Sequence, residues 1–432
     1  MADSTHHAPI VLDEHYTFPP LVRRNLFIAI GIGLLLFIAG ILLLIYAPHE
    51  AAHGAEEGAA AGGEHHFRWQ SRLWTNLWLN NVYFTGIAAI GIFFVAVQYV
   101  AYAGWSSGIK RIPEAFGNFL PITGVLMIIY FFLGGHDIFH WTHEYLYDTA
   151  DPRYDEIIAG KKGFLNTPFY LFRMVFYFAA WYILYRLLRK ESLQEDLTKD
   201  VRHYDKSIVL SAIFIVIFAV TSSTSAWDWV LSIDTHWFST MFGWYVFASW
   251  FVAGLATITL TVVFLKEAGY LSIVNQNHLH DLGKFMFAFS IFWTYVWFAQ
   301  FLLIYYANIP EETIYFIERL HGYNGTYKGL FFINIFINFL FPFLVLMTRD
   351  AKRHMIFLKI VSIVLLVGHW LDFYLMMMPG TVGENAGFGP LEIGIVMIYA
   401  SAFILVVATT LSKAPLIAKN HPMLEESIHH EI

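Results

Sequence analysis

Residues 357–378 read FLKIVSIVLLVGHWLDFYLMMM, an apolar stretch whose only charged or imidazole side chains are Lys359, His369 and Asp372. A membrane-spanning helix needs about 20 apolar residues, so this stretch is long enough to cross a bilayer. His369 and Asp372 are three residues apart and therefore share one helical face. Their side chains are too short to reach the membrane surface, and ionisable groups held inside a membrane mark a site or a pathway by default.

Nine further stretches of the same length and character occur along the chain. The sequence therefore predicts an all-α membrane protein with ten transmembrane helices. The predicted spans are residues 26–47, 79–102, 119–140, 165–188, 208–231, 237–265, 285–307, 329–347, 357–378 and 391–411.

The composition agrees with a membrane protein and excludes several kinds of site. The chain is 57% hydrophobic and only 14% charged, whereas a soluble domain carries roughly 25% charged residues. Its net charge of −7 is spread over tails and loops, with no basic face suited to nucleic acid. Cysteine is absent, which excludes disulfides, thiolate-held Fe–S clusters and C-x-x-C-H haem attachment in this chain. We expect no haem, Fe–S or metal site here.

The distribution of basic residues predicts the orientation. Eighteen of the 26 Lys and Arg residues lie in segments on one side of the predicted spans, and seven lie on the other side. Cytoplasmic segments carry the excess of Lys and Arg, so both termini are predicted to be cytoplasmic. The predicted organisation is an N-terminal tail (1–25), a ten-helix domain (26–412) and a C-terminal tail (413–432).

Histidines in the tails and in the first external loop are predicted to be solvated. The loop, residues 48–64, is rich in Ala, Gly, Glu and His, which is typical of a flexible segment. No spacing among its histidines specifies a metal. The same interpretation holds for the paired histidines of the tails and for the charged connector 191–206. The histidines concerned are His49, His53, His65 and His66 near the loop and His6, His7, His429 and His430 in the tails.

A parallel duplication is predicted from two matching motifs. Asp228 stands in Ala226-Trp227-Asp228-Trp229 near the end of span five, and Asp372 follows His369-Trp370-Leu371 in span nine. An aromatic-flanked Asp at corresponding positions suggests that spans two to five and six to nine form two four-helix bundles of equal polarity. Spans one and ten are then peripheral.

Ionisable residues gather in the outer half of the predicted membrane domain. Span three ends with His136, Asp137 and His140, where the four-residue spacing predicts that the two histidines share a helix face. Span four contributes Arg173. Asp228, His369 and Asp372 complete the candidate set, in which Arg173 is either a functional group or the partner of a buried carboxylate such as Asp228.

Two chemistries suit this set. Partly buried carboxylates and imidazoles exchange protons near neutral pH, which favours a proton relay. A lipid-soluble quinol releases two protons on oxidation, so a quinol site also needs proton acceptors beside an apolar groove. We assign proton transfer to His136, Asp137, Asp228, His369 and Asp372, and the quinol side to His140 and Arg173; the sequence alone does not separate the two chemistries.

Three aromatic-rich strings resemble the NrfD-like membrane subunits of bacterial alternative complex III, a family that includes PsrC-like subunits. The strings are WDWVLSIDTHWFST (227–240), HDLGKF (280–285) and YANIPEET (306–313). The resemblance covers essentially the whole chain.

That resemblance implies a subunit of a quinol:cytochrome c, or quinol:oxidase, oxidoreductase in a bacterial inner membrane. It implies partners that carry haem c and Fe–S centres, a homologous membrane subunit and bound lipid, with a quinol, expected to be menaquinol, at the level of the complex. In that family the sister subunit is regarded as the quinol site. The subunit that this chain resembles contributes a proton path and a scaffold.

Two other functions stay open. A b-type cytochrome would hold haem between His369 and His136 or His140, although no span carries the two spaced histidines that stack two haems. A proton-coupled transporter or channel acting alone would suit a repeat with acids near the midplane, but matched Gly or Pro interruptions at midspan are missing.

The orientation is the first testable prediction. Reporter domains that are active only in the periplasm should be inactive when fused after Ile432 and active when fused in the loop after residue 150, because the basic excess holds the termini in the cytoplasm. Periplasmic activity of the Ile432 fusion would contradict the assignment.

Overall fold

The computed structural model describes residues 11–46 and 69–431. Within these ranges the chain is all-α, with no β-strand and with ten helices long and apolar enough to cross a membrane. The predicted fold class, an all-α membrane protein with ten spans, is confirmed. The predicted solvated histidines His6, His7, His49, His53, His65 and His66 lie outside the described residues.

Fifteen α-helices are present in the described part of the chain. They are α1 (Pro20–Tyr46), α2 (Trp69–Val100), α3 (Arg111–Phe116), α4 (Leu120–Ile138), α5 (Glu156–Gly160), α6 (Thr167–Thr198), α7 (Val201–Trp229), α8 (Phe242–Glu267), α9 (Gln276–Ala307), α10 (Pro310–Leu320), α11 (Lys328–Ile335), α12 (Phe341–Val345), α13 (Met355–Val382), α14 (Pro390–Leu411) and α15 (Leu424–Ile428).

Two of the spans are composite. Helices α3 and α4 form one span, joined by the 3₁₀ turn Gly117–Phe119, and α11 and α12 form another, joined by the π-helix Phe336–Leu340. Short π-helical segments are rare in proteins, but those that occur often lie at functional sites. The remaining 3₁₀ turns are Gly104–Gly108, His140–Thr142, Glu144–Tyr147, Leu231–Ile233, Tyr323–Gly325 and Gly383–Asn385.

Both described ends of the chain lie on one face of the molecule, which we call the terminal face; the opposite face is the distal face. The backbone N–H of Leu416 donates to the carbonyl of Glu14 at 2.8 Å. The C-terminal segment crosses the terminal face, where Ser427 accepts from the N–H of Gly108 and His430 Nε2 lies 2.7 Å from Asp281. The prediction that His429 and His430 belong to a solvated tail is therefore wrong for His430.

The connector 191–206 is largely helical, and the prediction of a solvated face holds for exposed residues such as Lys199 and Arg202 but is wrong for Glu195 and Asp196, which are buried. Helices α6 and α7 extend past their apolar runs and meet at Lys199 and Asp200. The extension of α6 brings acids onto buried bases of the α2–α3 region. Lys110 pairs with Glu195 at 2.9 Å, and Arg111 pairs with Asp196 at 2.5 Å. These ion pairs explain why charged residues continue the helix, because each buried charge has a partner of opposite sign.

Helix α2 is the central helix and is buried along nearly its whole length. It packs against α4, α7, α8, α13 and α14, while α6 packs against α7, and α8 against α9 and α13. The division into two four-helix bundles stays a prediction. Helix α1 packs almost exclusively against α14, where Gly33 and Gly394 allow close backbone approach. Small residues at such crossings are typical of helix association in membranes.

The contact between α2 and α8 depends on glycine. A Cβ atom at Gly86 would lie 1.9 Å from the ring of Trp250, which is fully buried. We expect Gly86→Val to destabilise the protein by about 1–3 kcal/mol or more, because the core has no room for the added atoms. Thermal unfolding in detergent measures this change.

The matched control is Gly31→Val in α1, where a Cβ atom meets no other atom within 4 Å. It should leave the unfolding temperature nearly unchanged. Equal losses in both variants would show that helical glycine itself, rather than the Trp250 contact, is responsible.

Candidate functional site

The candidate site is centred on Asp372 and His369 in the middle of α13. Both side chains are fully buried, and about 15 Å of helical rise separates Asp372 from the last residue of α13, Val382. The apolar sequence around them makes the helix, and their three-residue spacing places them on the same face. Both residues thus lie far from the ends of the helix, as their place in the apolar stretch predicts, and their role in proton transfer stays a prediction.

Asp372 accepts hydrogen bonds from four uncharged groups. Tyr245 and Asn334 donate to Oδ1, the latter at 2.8 Å. Ser249 and the indole N–H of Trp293 donate to Oδ2, the latter at 2.9 Å. The four partners come from α8, α9 and α11, so the carboxyl group joins four helices.

This set of donors suits both protonation states of a carboxyl group. Four donors stabilise an ionised carboxylate, whose burial otherwise costs several kcal/mol. The hydroxyls of Tyr245 and Ser249 can instead accept a hydrogen bond, because a hydroxyl is both donor and acceptor. A protonated Asp372 therefore keeps its partners after rotation of one hydroxyl.

His369 lies beside Asp372 without a direct hydrogen bond. Its Nδ1 is 3.9 Å from Asp372 Oδ2, which is too long for such a bond. Neither ring nitrogen has a hydrogen-bond partner among the described residues, and the ring packs edge-on against Trp293. Buried polar atoms without partners are rare and call for an explanation such as bound water or a catalytic role.

The π-helix Phe336–Leu340 places a second amide next to this site. Asn338 donates to the side-chain oxygen of Asn334 at 2.6 Å, and Asn334 in turn donates to Asp372. Gly368 gives Asn338 room, since a Cβ atom there would lie 2.2 Å from the Asn338 oxygen. The chain of amides thus fixes the orientation of the Asn334 donor.

The corresponding acid of span five, Asp228, has a different environment. Arg173 holds it in a bidentate ion pair, with Nε to Oδ2 at 2.8 Å and Nη2 to Oδ1 at 2.7 Å. Tyr177 adds a hydrogen bond at 2.9 Å, and the guanidinium lies over the rings of Phe164 and Phe169. Of the two interpretations offered for Arg173, the structure shows the partner of a buried carboxylate.

The remaining candidates lie at the distal end of α4. His136 is exposed and contacts the Thr142 hydroxyl and the ring of His143; Asp137 is half-buried. The prediction that His136 and His140 share a helix face is wrong, because α4 ends at Ile138 and the extended Phe139 precedes a separate 3₁₀ turn at His140. The structure does not gather His136 and Asp228 into one hydrogen-bonded group.

Arg319 and Asp234, on the distal face, stabilise the end of α13. Neither was predicted as a site residue. Pro379 has no N–H, which leaves the carbonyl of Leu375 without its helical partner. Arg319 of α10 donates to this carbonyl at 2.9 Å and to Asp234 at 3.1 Å. Asp234 packs against Gly380, where a Cβ atom would lie 2.3 Å from Asp234 Oδ1.

Charges at this distal end perturb the acid groups nearby. Burial raises the pKa of Asp234, and the Arg319 guanidinium opposes that rise. Burial, together with the negative charge of Asp234, raises the pKa of Glu318 to about 7. Glu318 is half-buried and precedes Arg319 in α10. The distal end of this region therefore holds a carboxyl group that exchanges protons near neutral pH.

The four donors around Asp372 were not identified from the sequence as site residues. Tyr245, Ser249, Trp293 and Asn334 were not among the predicted site residues, and neither was Asn338. The spacing of Tyr245 and Ser249, four residues apart in an apolar helix, is the signal that places two hydroxyls on one face. Comparison with protein-family models and with curated proteins gives no match for this chain.

The Arg173–Asp228 pair yields a stability prediction. Arg173→Leu should destabilise the protein by about 3–5 kcal/mol, because it leaves the buried Asp228 carboxylate without its cation. The double variant Arg173→Leu/Asp228→Leu should recover most of that loss. Thermal unfolding in detergent compares the variants.

Arg186→Leu on the same helix is the control, since Arg186 is exposed and such changes stay within about 0.5 kcal/mol. A double variant as unstable as Arg173→Leu would contradict the ion-pair account.

Proposed function

We propose that this multi-pass membrane protein is the proton-transferring membrane subunit of a quinol:cytochrome c or quinol:oxidase oxidoreductase, with Asp372 and His369 as its proton-carrying groups. The observation that carries the proposal is the environment of Asp372, a fully buried carboxyl group whose hydrogen-bond partners among the described residues are all uncharged. Such a group accepts and releases a proton without breaking an ion pair.

Asp228 supplies the internal contrast. Protonation of Asp228 would leave the buried charge of Arg173 uncompensated, which costs several kcal/mol. We therefore assign Asp228 a structural role within the proposed function and Asp372 the role of proton carrier. The charges around the two acids differ, although both are flanked by aromatic residues in the sequence.

A route from Asp372 toward the terminal face is supported by further buried polar atoms. His369, Asn338 and Ser290 each have a side-chain atom without a hydrogen-bond partner among the described residues. Ser290 lies one helical turn from Trp293, and Ser362 lies two turns from His369 toward the terminal face. Ordered water bound to such atoms would continue the path.

In the proposed function, the quinol and the redox centres are bound by the complex as a whole rather than by this chain alone. The chain has no Cys to hold an Fe–S cluster or a covalent haem, so partner proteins would carry these centres. The sequence resembles the subunit called ActF, and in that family quinol oxidation is left to a sister subunit. His136, Asp137 and His140 stay predicted quinol-side or proton-transfer residues, whereas Arg173, predicted for the quinol side, is the ion-pair partner of Asp228.

Purification of the protein in mild detergent tests the assignment to a complex. Copurification with haem c and Fe–S proteins would support it over a transporter that acts alone. A particle that contains only this chain and carries out proton-coupled transport would contradict it, and a haem that stays with the isolated polypeptide would favour a b-type cytochrome.

Asp372→Asn tests the proton-carrying role. The variant keeps the volume and most hydrogen bonds of the side chain but removes its titration. We expect normal assembly and a loss of quinol-dependent turnover and proton release of about 100-fold, the lower end of the usual contribution of a proton-transferring side chain.

Asp228→Asn is the matched variant for the ion-paired acid. It should lower assembly or thermal stability, because Arg173 loses its partner, while the assembled fraction keeps its turnover. Full activity of Asp372→Asn with normal assembly would rule out Asp372 as a proton carrier.

A further inference from the structure

A narrow cleft connects the partners of Asp372 with the distal end of α13. Its inner wall includes Tyr245 and Asn334, which both donate to Asp372 Oδ1. Its other end includes Arg319 and Tyr315 of α10. Apolar side chains such as Trp297 and Phe331 line the rest. The cleft therefore runs from the buried carboxyl group to the residues that close the distal end of the helix.

Gln300 places an unused acceptor in this cleft. The side chain is 4% exposed, lines the cleft, and its Oε1 has no hydrogen-bond partner among the described residues. Leaving a buried amide oxygen unpaired costs about 1–3 kcal/mol. A ligand that donates a hydrogen bond to Gln300 would remove that cost.

The size and the polar groups of the cleft select the ligand. The space admits a water-sized molecule rather than a ring. A buried water needs two to four polar partners, and Gln300, Tyr245 and Arg319 are polar groups on three sides of the same cleft. Water both donates and accepts, so it satisfies Gln300 and receives a proton from a hydroxyl.

We propose that this cleft binds water that connects Asp372 to the distal face, and that Gln300 is the positioning residue for that water. The proposal rests on the proton-carrying role of Asp372. When the Asp372 carboxyl gives its proton to the Tyr245 oxygen, Tyr245 gives its own hydroxyl proton to the water. The water passes a proton on to solvent at the distal face, so Tyr245 and the water end neutral and one proton has moved.

Arg319 has a defined part in this route. Its positive charge stands at the distal end of the cleft, where it would oppose an approaching proton, but Asp234 pairs with it at 3.1 Å and compensates the charge. The stacking of Trp237 on Tyr315 at 3.9 Å holds α10 over the cleft. The route thus ends under α10, beside Glu318.

A density map of the purified complex tests the site directly. A water should appear within about 2.7–3.2 Å of Gln300 Oε1, the range of a normal hydrogen bond. A map that resolves buried water elsewhere in the protein and shows none at Gln300 would overturn the proposal, whatever the fate of Asp372.

The functional test uses Gln300→Leu and Gln300→Met, which keep a side chain of similar size without the acceptor. We expect proton release by the assembled complex to slow about ten-fold, the effect of losing one hydrogen bond to the migrating proton. Gln98→Leu is the matched control, since Gln98 lines a different cavity at the terminal face; its proton release should equal that of the natural protein.

Failure of this inference differs from failure of the proposed function. Normal proton release in both Gln300 variants, together with a loss in Asp372→Asn, would reject the water route and keep Asp372 as a carrier. Normal release in Asp372→Asn would reject the carrier itself and, with it, the route. Slowed release in both Gln300 variants and in Asp372→Asn supports both.

Discussion

A carboxyl group inside a membrane protein needs compensation for its lost hydration, and this fold contains two forms of that compensation. Asp228 has a cation, Arg173, in a bidentate pair with both carboxylate oxygens. Asp372 has four neutral donors from three neighbouring helices. An ion pair fixes the charge of both partners, because removing either charge leaves the other buried without compensation. Neutral donors hold the carboxyl group in place without fixing its charge. The proposed division between a structural acid and a proton carrier follows from this difference.

Much of the surrounding structure serves to bring these donors to Asp372. Glycine at Gly86 lets α8 approach α2, and α8 carries both Tyr245 and Ser249. The π-helix in the α11–α12 span turns Asn334 and Asn338 toward the same face of α13. At the distal end, Arg319 satisfies the carbonyl that Pro379 leaves open. Arg319 therefore both stabilises the end of α13 and lines the cleft beneath α10.

The sequence predicts the spans well because apolar length is a local property. It predicts the depth of His369 and Asp372 for the same reason, and it offers Arg173 as a partner for Asp228. It misses the helical extensions of α6 and α7, since the charges of that connector are buried by pairing with Lys110 and Arg111 from elsewhere in the chain. It misplaces His140, because nothing local signals the extended Phe139. The donors of Asp372 come from three other helices; the spacing of Tyr245 and Ser249 shows that these two share a face, but nothing local shows that this face meets Asp372.

The most direct measurement of the central claim follows the carboxyl group of Asp372 itself. Infrared difference spectroscopy of the assembled complex during quinol oxidation reports the gain or loss of a carboxylic-acid band, which is assigned by its absence in Asp372→Asn. The account predicts that the Asp372 band appears and disappears within the turnover cycle while Asp228 stays ionised. A band at Asp372 that never changes during turnover, or a changing band that survives in Asp372→Asn and vanishes in Asp228→Asn, would contradict it.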